Sequence, residues 1–184
     1  MTFQRNSHAG LWPLVLAGGL VMGLALGTRH VQGLFLLPVT QDQGWSRETF
    51  SFAMALQNLV WGLTQPLLGL VADRFGSTRV IAAGLVAGVL GLAGMATTDS
   101  AIVFILCAGV LMGLSLSGTA FGAIYGAISR IVTPEQRAWA LGITGAVGGL
   151  GQFVLVPAVQ AMINEWGWSA TLMILGAGLL VMLP

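Results

Sequence analysis

Arg29 and His30 are adjacent basic residues inside a long apolar stretch near the start of the chain. Arg29 lies about 18 residues into that stretch, which corresponds to roughly 27 Å of helix rise. Ionisable groups at membrane depth are energetically costly, so we expect them to be functional. A guanidinium can hold a carboxylate through two parallel hydrogen bonds, and an imidazole can carry a proton near neutral pH. Arg29 therefore predicts an anion site, and His30 is a candidate proton carrier.

Each of these residues has a second interpretation. The apolar stretch continues only about nine residues beyond Arg29, so this side chain could instead extend to the outer lipid headgroups. At about 100° per residue, His30 falls in line with a stripe of small residues, Gly19, Gly23 and Gly27, and a neutral histidine could pack there. Arg29 and Gln32 fall on another face, so the two basic side chains are expected to point apart.

Four further polar residues lie inside apolar stretches, and they are candidates for substrate binding alongside Arg29 and His30. They are Gln57 and Asn58 in the second stretch, Tyr125 in the fourth and Gln152 in the fifth. Their side chains could line a polar cavity, or each could serve as a hydrogen-bonding contact between helices.

A second group of residues gathers charge between the second and third stretches, at Gly69, Asp73, Arg74, Gly76 and Arg79. An aspartate at a helix carboxyl end opposes the helix dipole, so Asp73 needs a partner, and Arg79 is placed to pair with it or with a lipid phosphate. Gly69 lies one turn earlier on the same face and leaves room for another helix. Gly76 suits a left-handed turn. The alternative is a solvated loop with the positive charge typical of a cytoplasmic side.

Composition identifies the environment of these residues. Of the 184 residues, 56% are hydrophobic and 7% are charged, against about 25% charged in a soluble domain. The chain is therefore an integral membrane protein with the lipid bilayer as a partner. A net charge of +1 gives no indication of nucleic-acid binding, and the single cysteine, Cys107, cannot form a disulfide or a metal site by itself. No pattern indicates a cofactor or a metal.

Six apolar runs are long enough to cross a bilayer as helices. They lie near residues 11–38, 48–72, 79–98, 101–127, 138–162 and 168–184, and the sixth stops in mid-run. Strands of a membrane barrel would show short alternating segments instead, so the predicted fold is an all-α bundle of six transmembrane helices spanning residues 11–184.

Arginine placement predicts the orientation. Arg5, Arg74, Arg79, Arg130 and Arg137 fall on the amino-terminal tail and the even-numbered loops, whereas the odd-numbered loops hold only Arg47. Because short exported loops disfavour arginine, residues 1–10 are expected to form a cytoplasmic tail. The first apolar run is longer than that of a cleaved signal peptide, so we expect it to be retained as a helix.

The loops carry recognisable helix caps. Thr133 and Gln136 have the spacing of a capping box, with Pro134 at the first helical position, so a helix should begin there. Residues 42–46 and 165–169 both contain a Gly-Trp-Ser sequence, in which glycine should end one helix and serine should cap the next.

The pattern Gly-x-x-x-Asp-Arg-x-Gly at residues 69–76, between the second and third helices, resembles the signature loop of the major facilitator superfamily. The resemblance implies the amino-terminal six-helix half of such a transporter, built as a 3+3 repeat, with a carboxyl-terminal six-helix half as its partner. It also implies that Asp73 docks on a helix amino terminus of that second half and latches the outward-open state. Thr78 stands where a basic residue is common, so this charge network is thinner here.

Two other segments are similar to bacterial monocarboxylate and oxalate/formate carriers: Gly44-Trp-Ser-Arg47, which begins the second helix, and residues 137–149, which begin the fifth. This similarity implies a small organic anion as substrate, a proton as candidate co-substrate, and a carboxylate contact for Arg29. It also implies a multi-pass protein of the cell (inner) membrane.

Two alternatives belong to other classes. Ser117-Gly118 resembles part of a rhomboid serine-protease motif, but no histidine follows it, so the prediction is that the chain is not an enzyme. A self-assembling half-transporter or channel is also compatible with six helices.

Overall fold

The computed structural model describes residues 11–183, so the predicted tail at residues 1–10 lies outside the described residues. Every regular element in the described range is helical, as predicted. The elements are α1 (Trp12–Val31), a 3₁₀ turn (Gln32–Phe35), α2 (Leu36–Gln43), α3 (Arg47–Phe75), α4 (Ser77–Thr97), α5 (Ala101–Ile105), a π-helical segment (Leu106–Leu111), α6 (Met112–Thr119), α7 (Phe121–Ile131) and α8 (Pro134–Val181).

The predicted caps account for several of these boundaries. Gly44, with φ 66° and ψ 20°, ends α2 in the left-handed conformation, and the Ser46 hydroxyl accepts a hydrogen bond of 3.4 Å from the backbone N–H of Thr49. The capping box of Thr133 and Gln136 is present at the start of α8, with Pro134 as the first helical residue. These caps satisfy backbone groups that would otherwise have no partner at helix ends.

Helix α8 contains a reversal at Gly167, whose φ of 79° and ψ of 169° are not helical. Before this point, residues 147–155 run parallel to residues 19–27 of α1. After it, residues 169–179 run antiparallel to residues 88–96 of α4. Gly167 thus separates two helical segments, as the Gly-Trp-Ser pattern predicted.

Ser169, the predicted cap after Gly167, makes a tertiary contact. Its hydroxyl donates to the carbonyl oxygen of Ala96 at 2.7 Å, which lies at the end of α4. Ser169 thus joins the start of the segment after Gly167 to the end of α4.

Four helical stretches are long and apolar enough to cross a membrane by length and composition: Trp12–Gln43, Ser77–Thr97, Ala101–Ile131 and Pro134–Val181. They make this a multi-pass membrane protein. Helix α3 is not among them, and α8 counts as one stretch despite its reversal at Gly167.

Small residues bring the helices together. A Cβ on Gly19 would lie 2.7 Å from Val147, and one on Gly23 would lie 3.3 Å from the Cα of Gly148. In lipid, helix association depends on close van der Waals packing and on interhelical hydrogen bonds, because lipid tails are as apolar as the side chains. The predicted glycine stripe on α1 is therefore a packing seam, and it fixes α1 against α8.

Candidate functional site

A polar cavity of about 250 Å³ lies between α1, the 3₁₀ turn and α3. It brings together four of the six predicted substrate-binding residues: Arg29, His30, Gln57 and Asn58. The remaining lining residues are Gln32, Gly33 and Met54. Two basic side chains and three amides thus converge at one place in an otherwise apolar bundle.

Arg29 lies deeper along its helical stretch than the sequence indicated. The apolar run was expected to end near Pro38, but the chain stays helical through the 3₁₀ turn and α2 to Gln43. Roughly 14 residues, or about 21 Å of helix rise, therefore separate Arg29 from the end of α2.

Two neutral groups hold the Arg29 guanidinium. Its Nη2 donates a hydrogen bond of 2.7 Å to Oδ1 of Asn58, and its Cζ lies 5.1 Å from the centre of the Trp61 ring. Within the described residues the only ion pair joins Asp73 and Arg130, so no carboxylate neutralises Arg29 there. The guanidinium keeps its full positive charge beside the cavity, which suits it to an anion.

His30 is exposed and lines the same cavity as Arg29. The expectations that the two basic side chains point apart, and that His30 packs in the glycine seam, are therefore wrong. Neighbouring helical residues are only about 100° apart, so both can border one opening. The His30 Nδ1 lies 2.8 Å from the carbonyl oxygen of Leu26. Because a carbonyl only accepts, Nδ1 is the donor if this contact is a hydrogen bond.

Gln32 and Gln57 are almost fully buried, with 3% and 1% of their surface exposed, and the Nε2 of each has no hydrogen-bond partner in the described part of the chain. A buried donor left unpaired costs about 1–3 kcal/mol. Gln32 was not among the predicted site residues. Its spacing of three residues from Arg29 was the signal that could have found it, because such residues share a helix face.

Tyr125 and Gln152 do not line this cavity. The Tyr125 ring packs on Phe121 at 5.5 Å, and its hydroxyl lies 2.6 Å from the position that a Cβ on Gly145 would occupy. The Gln152 Nε2 donates to the carbonyl oxygen of Gly148, one turn earlier in α8, at 3.3 Å. The Gln152 bond lies within α8 and the Tyr125–Phe121 contact lies within α7, so neither is the hydrogen bond between helices that was the second interpretation.

The signature loop has a different ion pair from the one expected. Asp73 pairs with Arg130 at the end of α7, and not with Arg79. Arg130 also donates from Nη1 to the carbonyl oxygen of Ala72 at 3.1 Å. The arginine thus meets both the carboxylate and a carbonyl at the end of α3, where a cation is favourable. Sequence order gave no signal for this contact, since 57 residues separate the two partners.

The rest of the loop is open. Gly76 has a φ of 95°, in the region that favours glycine, and its N–H donates to the carbonyl oxygen of Ala72 at 3.0 Å. A Cβ on Gly69 would meet nothing within 4 Å. The Arg74 guanidinium lies 5.3 Å from the centre of the Phe75 ring. The α3 face that carries Gly69 and Asp73 is therefore exposed in this structure.

Ser117 is engaged in helix packing. Its hydroxyl lies 2.6 Å from that of Thr64 and 3.1 Å from the carbonyl oxygen of Trp61, joining α6 to α3. Within residues 11–183, His30 is the histidine that could have served a protease dyad, and its ring contacts Leu26 instead. The geometry of a serine protease is not present at Ser117.

Comparison with known proteins identifies the family. The model of the Major Facilitator Superfamily matches residues 15–184. Relatives include monocarboxylate transporter 11 of Mus musculus, 29% identical over 94% of this chain and 38% of the relative, and the oxalate:formate antiporter of Oxalobacter formigenes, 27% identical over 98% and 44%. The tetracycline resistance protein, class C, of Escherichia coli is 37% identical over 55% of this chain and 25% of the relative.

The chain thus spans less than half the length of these relatives. Two of them are named as a transporter and an antiporter, which are not enzymes, so the protease alternative is wrong. The sequence match, the helical fold and the loop at residues 69–76 agree, and the chain belongs to the Major Facilitator Superfamily.

Proposed function

We propose that this chain is the amino-terminal half of a secondary transporter that moves a small organic anion of the monocarboxylate type by alternating access. The observation that carries the proposal is Arg29, a charged group near the middle of a long apolar helical stretch, bordering a polar cavity and held by neutral partners. A charge at such depth is costly unless it is used, and binding of an anion supplies the missing counter-charge.

The chemistry of the cavity supports a carboxylate. Arginine, glutamine and asparagine side chains surround it, and a guanidinium can hold both oxygens of a carboxylate at once. The names of two relatives, a monocarboxylate transporter and an oxalate:formate antiporter, point to the same class of substrate. The proposed substrate contacts are Arg29 and Gln57, and Asn58 borders the same cavity, while Tyr125 and Gln152 would enter it only in another conformation.

His30 is the proposed proton-binding residue for symport of H⁺ with the anion. It borders the same cavity, and its side chain is exposed there. A proton held beside Arg29 would add positive charge where the substrate carboxylate binds, so the proton and the anion would favour each other.

A second six-helix half is the proposed partner. We infer six membrane helices by counting α3 and the two parts of α8 separately, and this number would match one half built from a 3+3 repeat. On α3 and α8, a Cβ on any of four glycines, Gly62, Gly69, Gly142 and Gly149, would meet nothing within 4 Å. These open small-residue positions suit the close approach of helices from another half, and Asp73 would dock there on a helix amino terminus.

The proposed location is the inner membrane of a cell, with the amino terminus in the cytoplasm. The arginines of the loops at residues 74–79 and 130–137 would then face the cytoplasm, and only Arg47 would face outward.

The experiment is counterflow in liposomes that contain the complete protein. Vesicles are loaded with unlabelled formate, oxalate, acetate or lactate, and uptake of the same labelled acid is measured against a neutral control, glycerol. We expect saturable uptake of at least one acid and none of glycerol. Uptake of glycerol, or of tetracycline in place of every acid, would overturn the proposed substrate class.

A further inference from the structure

Asn58 and Trp61 lie three residues apart on α3, on the face that meets Arg29 of α1. Asn58 accepts a hydrogen bond from the guanidinium, and Trp61 places its ring against it. Neither side chain carries charge. The two side chains therefore contact the guanidinium without neutralising its charge, whereas a carboxylate would form an ion pair with it.

The Asn58 amide is oriented for this contact. Its Nδ2 donates to the carbonyl oxygen of Met54 at 2.9 Å, one turn earlier in α3. This bond turns Oδ1 toward Arg29, at 2.7 Å from Nη2. Because the two bonds need opposite ends of the amide, they agree on one orientation of Asn58.

Helix α6 packs against the turn of α3 that carries Trp61. The Trp61 carbonyl oxygen lies 3.1 Å from the Ser117 hydroxyl, and a Cβ on Gly113 would lie 2.8 Å from Val60, so α6 packs closely behind this turn of α3. The Trp61 Nε1 is buried and has no hydrogen-bond partner in the described residues. Its N–H therefore does not hold the ring in place; the ring packs against the hydrophobic core and contacts Arg29.

One guanidinium hydrogen bond to Asn58 leaves the other donors of Arg29 for a ligand. The ring also restricts the rotamers of a long side chain that would otherwise lose entropy on binding. We propose that Asn58 and Trp61 are positioning residues that hold Arg29 in a fixed, uncompensated orientation for the substrate anion. This inference rests on the proposed anion site at Arg29.

The first test measures the apparent affinity for the transported carboxylate in variants of the complete protein. Trp61→Leu should raise KM by about 2- to 30-fold, the range of cation–π contacts, while the maximal rate and membrane level change little. Trp61→Phe should restore most of the affinity. Trp166→Leu is the matched control, because Trp166 is exposed and distant in sequence from the cavity residues.

Asn58→Asp separates positioning from simple packing. The new carboxylate would pair with Arg29 and compete with the substrate, so KM should rise by about tenfold or more. Asn58→Ala should cost less than Asn58→Asp, although alanine removes more contacts. Asn164→Asp is the control for an added charge on an exposed asparagine. Equal losses in the Asp and Ala variants would point to packing and would overturn the proposal.

A substrate-independent test follows the reaction of Arg29 with phenylglyoxal by peptide mass spectrometry, with the exposed Arg79 as internal reference. We expect Arg29 to react several-fold faster relative to Arg79 in Trp61→Leu and Asn58→Ala, because each variant frees the guanidinium. An unchanged ratio would overturn the positioning role of Asn58 and Trp61.

The outcomes distinguish this role from the anion site itself. If Arg29→Gln abolishes transport while Trp61→Leu and Asn58→Asp keep the wild-type KM, the positioning role is wrong and the anion site is supported. If no carboxylate is transported, the proposed function is wrong, and the reactivity ratio still tests the positioning role.

Discussion

The indole N–H of Trp168 donates a hydrogen bond of 3.0 Å to the Asp42 carboxylate, joining the part of α8 after Gly167 to the end of α2. The two residues are 126 positions apart in the chain and belong to the two Gly-Trp-Ser segments that resemble each other in sequence. The bond fixes the end of the long first helical stretch, whose middle carries Arg29.

Removing this bond should loosen that end of the bundle. Trp168→Phe keeps an aromatic ring but loses the N–H, and because Asp42 is exposed we expect a loss of only about 1 kcal/mol. The measurement is the apparent unfolding temperature of the detergent-purified protein. Trp166→Phe serves as the control at an exposed tryptophan. A larger loss in Trp166→Phe than in Trp168→Phe would contradict this role.

The pair of Asp73 and Arg130 gives a second prediction. Both side chains are largely exposed, with 69% and 44% of their surface accessible, so their ion pair should add little to stability. Asp73→Asn should nevertheless reduce transport strongly, because Asp73 is also the proposed contact to the second half, whereas Arg130→Gln should reduce it less. Both are measured as initial uptake rates per amount of surface protein.

The exchanged variant, Asp73→Arg with Arg130→Asp, distinguishes the two roles. It restores an ion pair but places the wrong charge against a helix amino terminus, so transport should stay low. Full recovery of uptake in the exchanged variant would reduce Asp73 to an ion-pair partner and contradict the docking role.

The orientation of the chain is tested by cysteine accessibility. With Cys107 replaced by alanine, Thr78→Cys should react with an impermeant thiol reagent only from the cytoplasmic side, and Gln41→Cys only from the outside. Both positions are exposed, whereas the neighbouring Ser77 is only 8% exposed and would label poorly. The reverse pattern of labelling would invert the proposed topology.

The role of a second half gives a fourth prediction. Liposomes containing only these 184 residues should show insertion but no saturable counterflow, because the substrate is proposed to bind between two halves. The complete protein is the control in the same lipid. Robust saturable counterflow by this chain alone would favour a self-assembling half-transporter or channel.

Residue patterns with a local cause were predictable from the sequence. The capping box at Thr133 and the glycine that ends α2 depend on a few neighbouring residues, and both are present. The glycine stripe that includes Gly19 and Gly23 follows from helical periodicity, and it is the seam between α1 and α8. These caps and this stripe could be predicted because the residues that cause them lie close together in the sequence.

Contacts between distant helices were not predictable in the same way. The sequence does not indicate that Arg130 reaches Asp73, that Ser169 bonds to Ala96, or that Trp61 lies against Arg29. Each depends on how two helices pack. The end of the first helical stretch was expected near Pro38, whereas the chain stays helical through it to Gln43.

The transport of a labelled carboxylate by Arg29 variants of the complete protein tests the central claim most directly. If Arg29 holds the substrate carboxylate, Arg29→Lys should keep part of the uptake with a raised KM, because lysine retains the charge but not the planar fork. Arg29→Gln should abolish uptake while the amount in the membrane stays near normal. His30→Gln is the control at the neighbouring position and should change affinity less, although it can alter the dependence on pH. Wild-type KM and rate in Arg29→Gln would contradict the anion site.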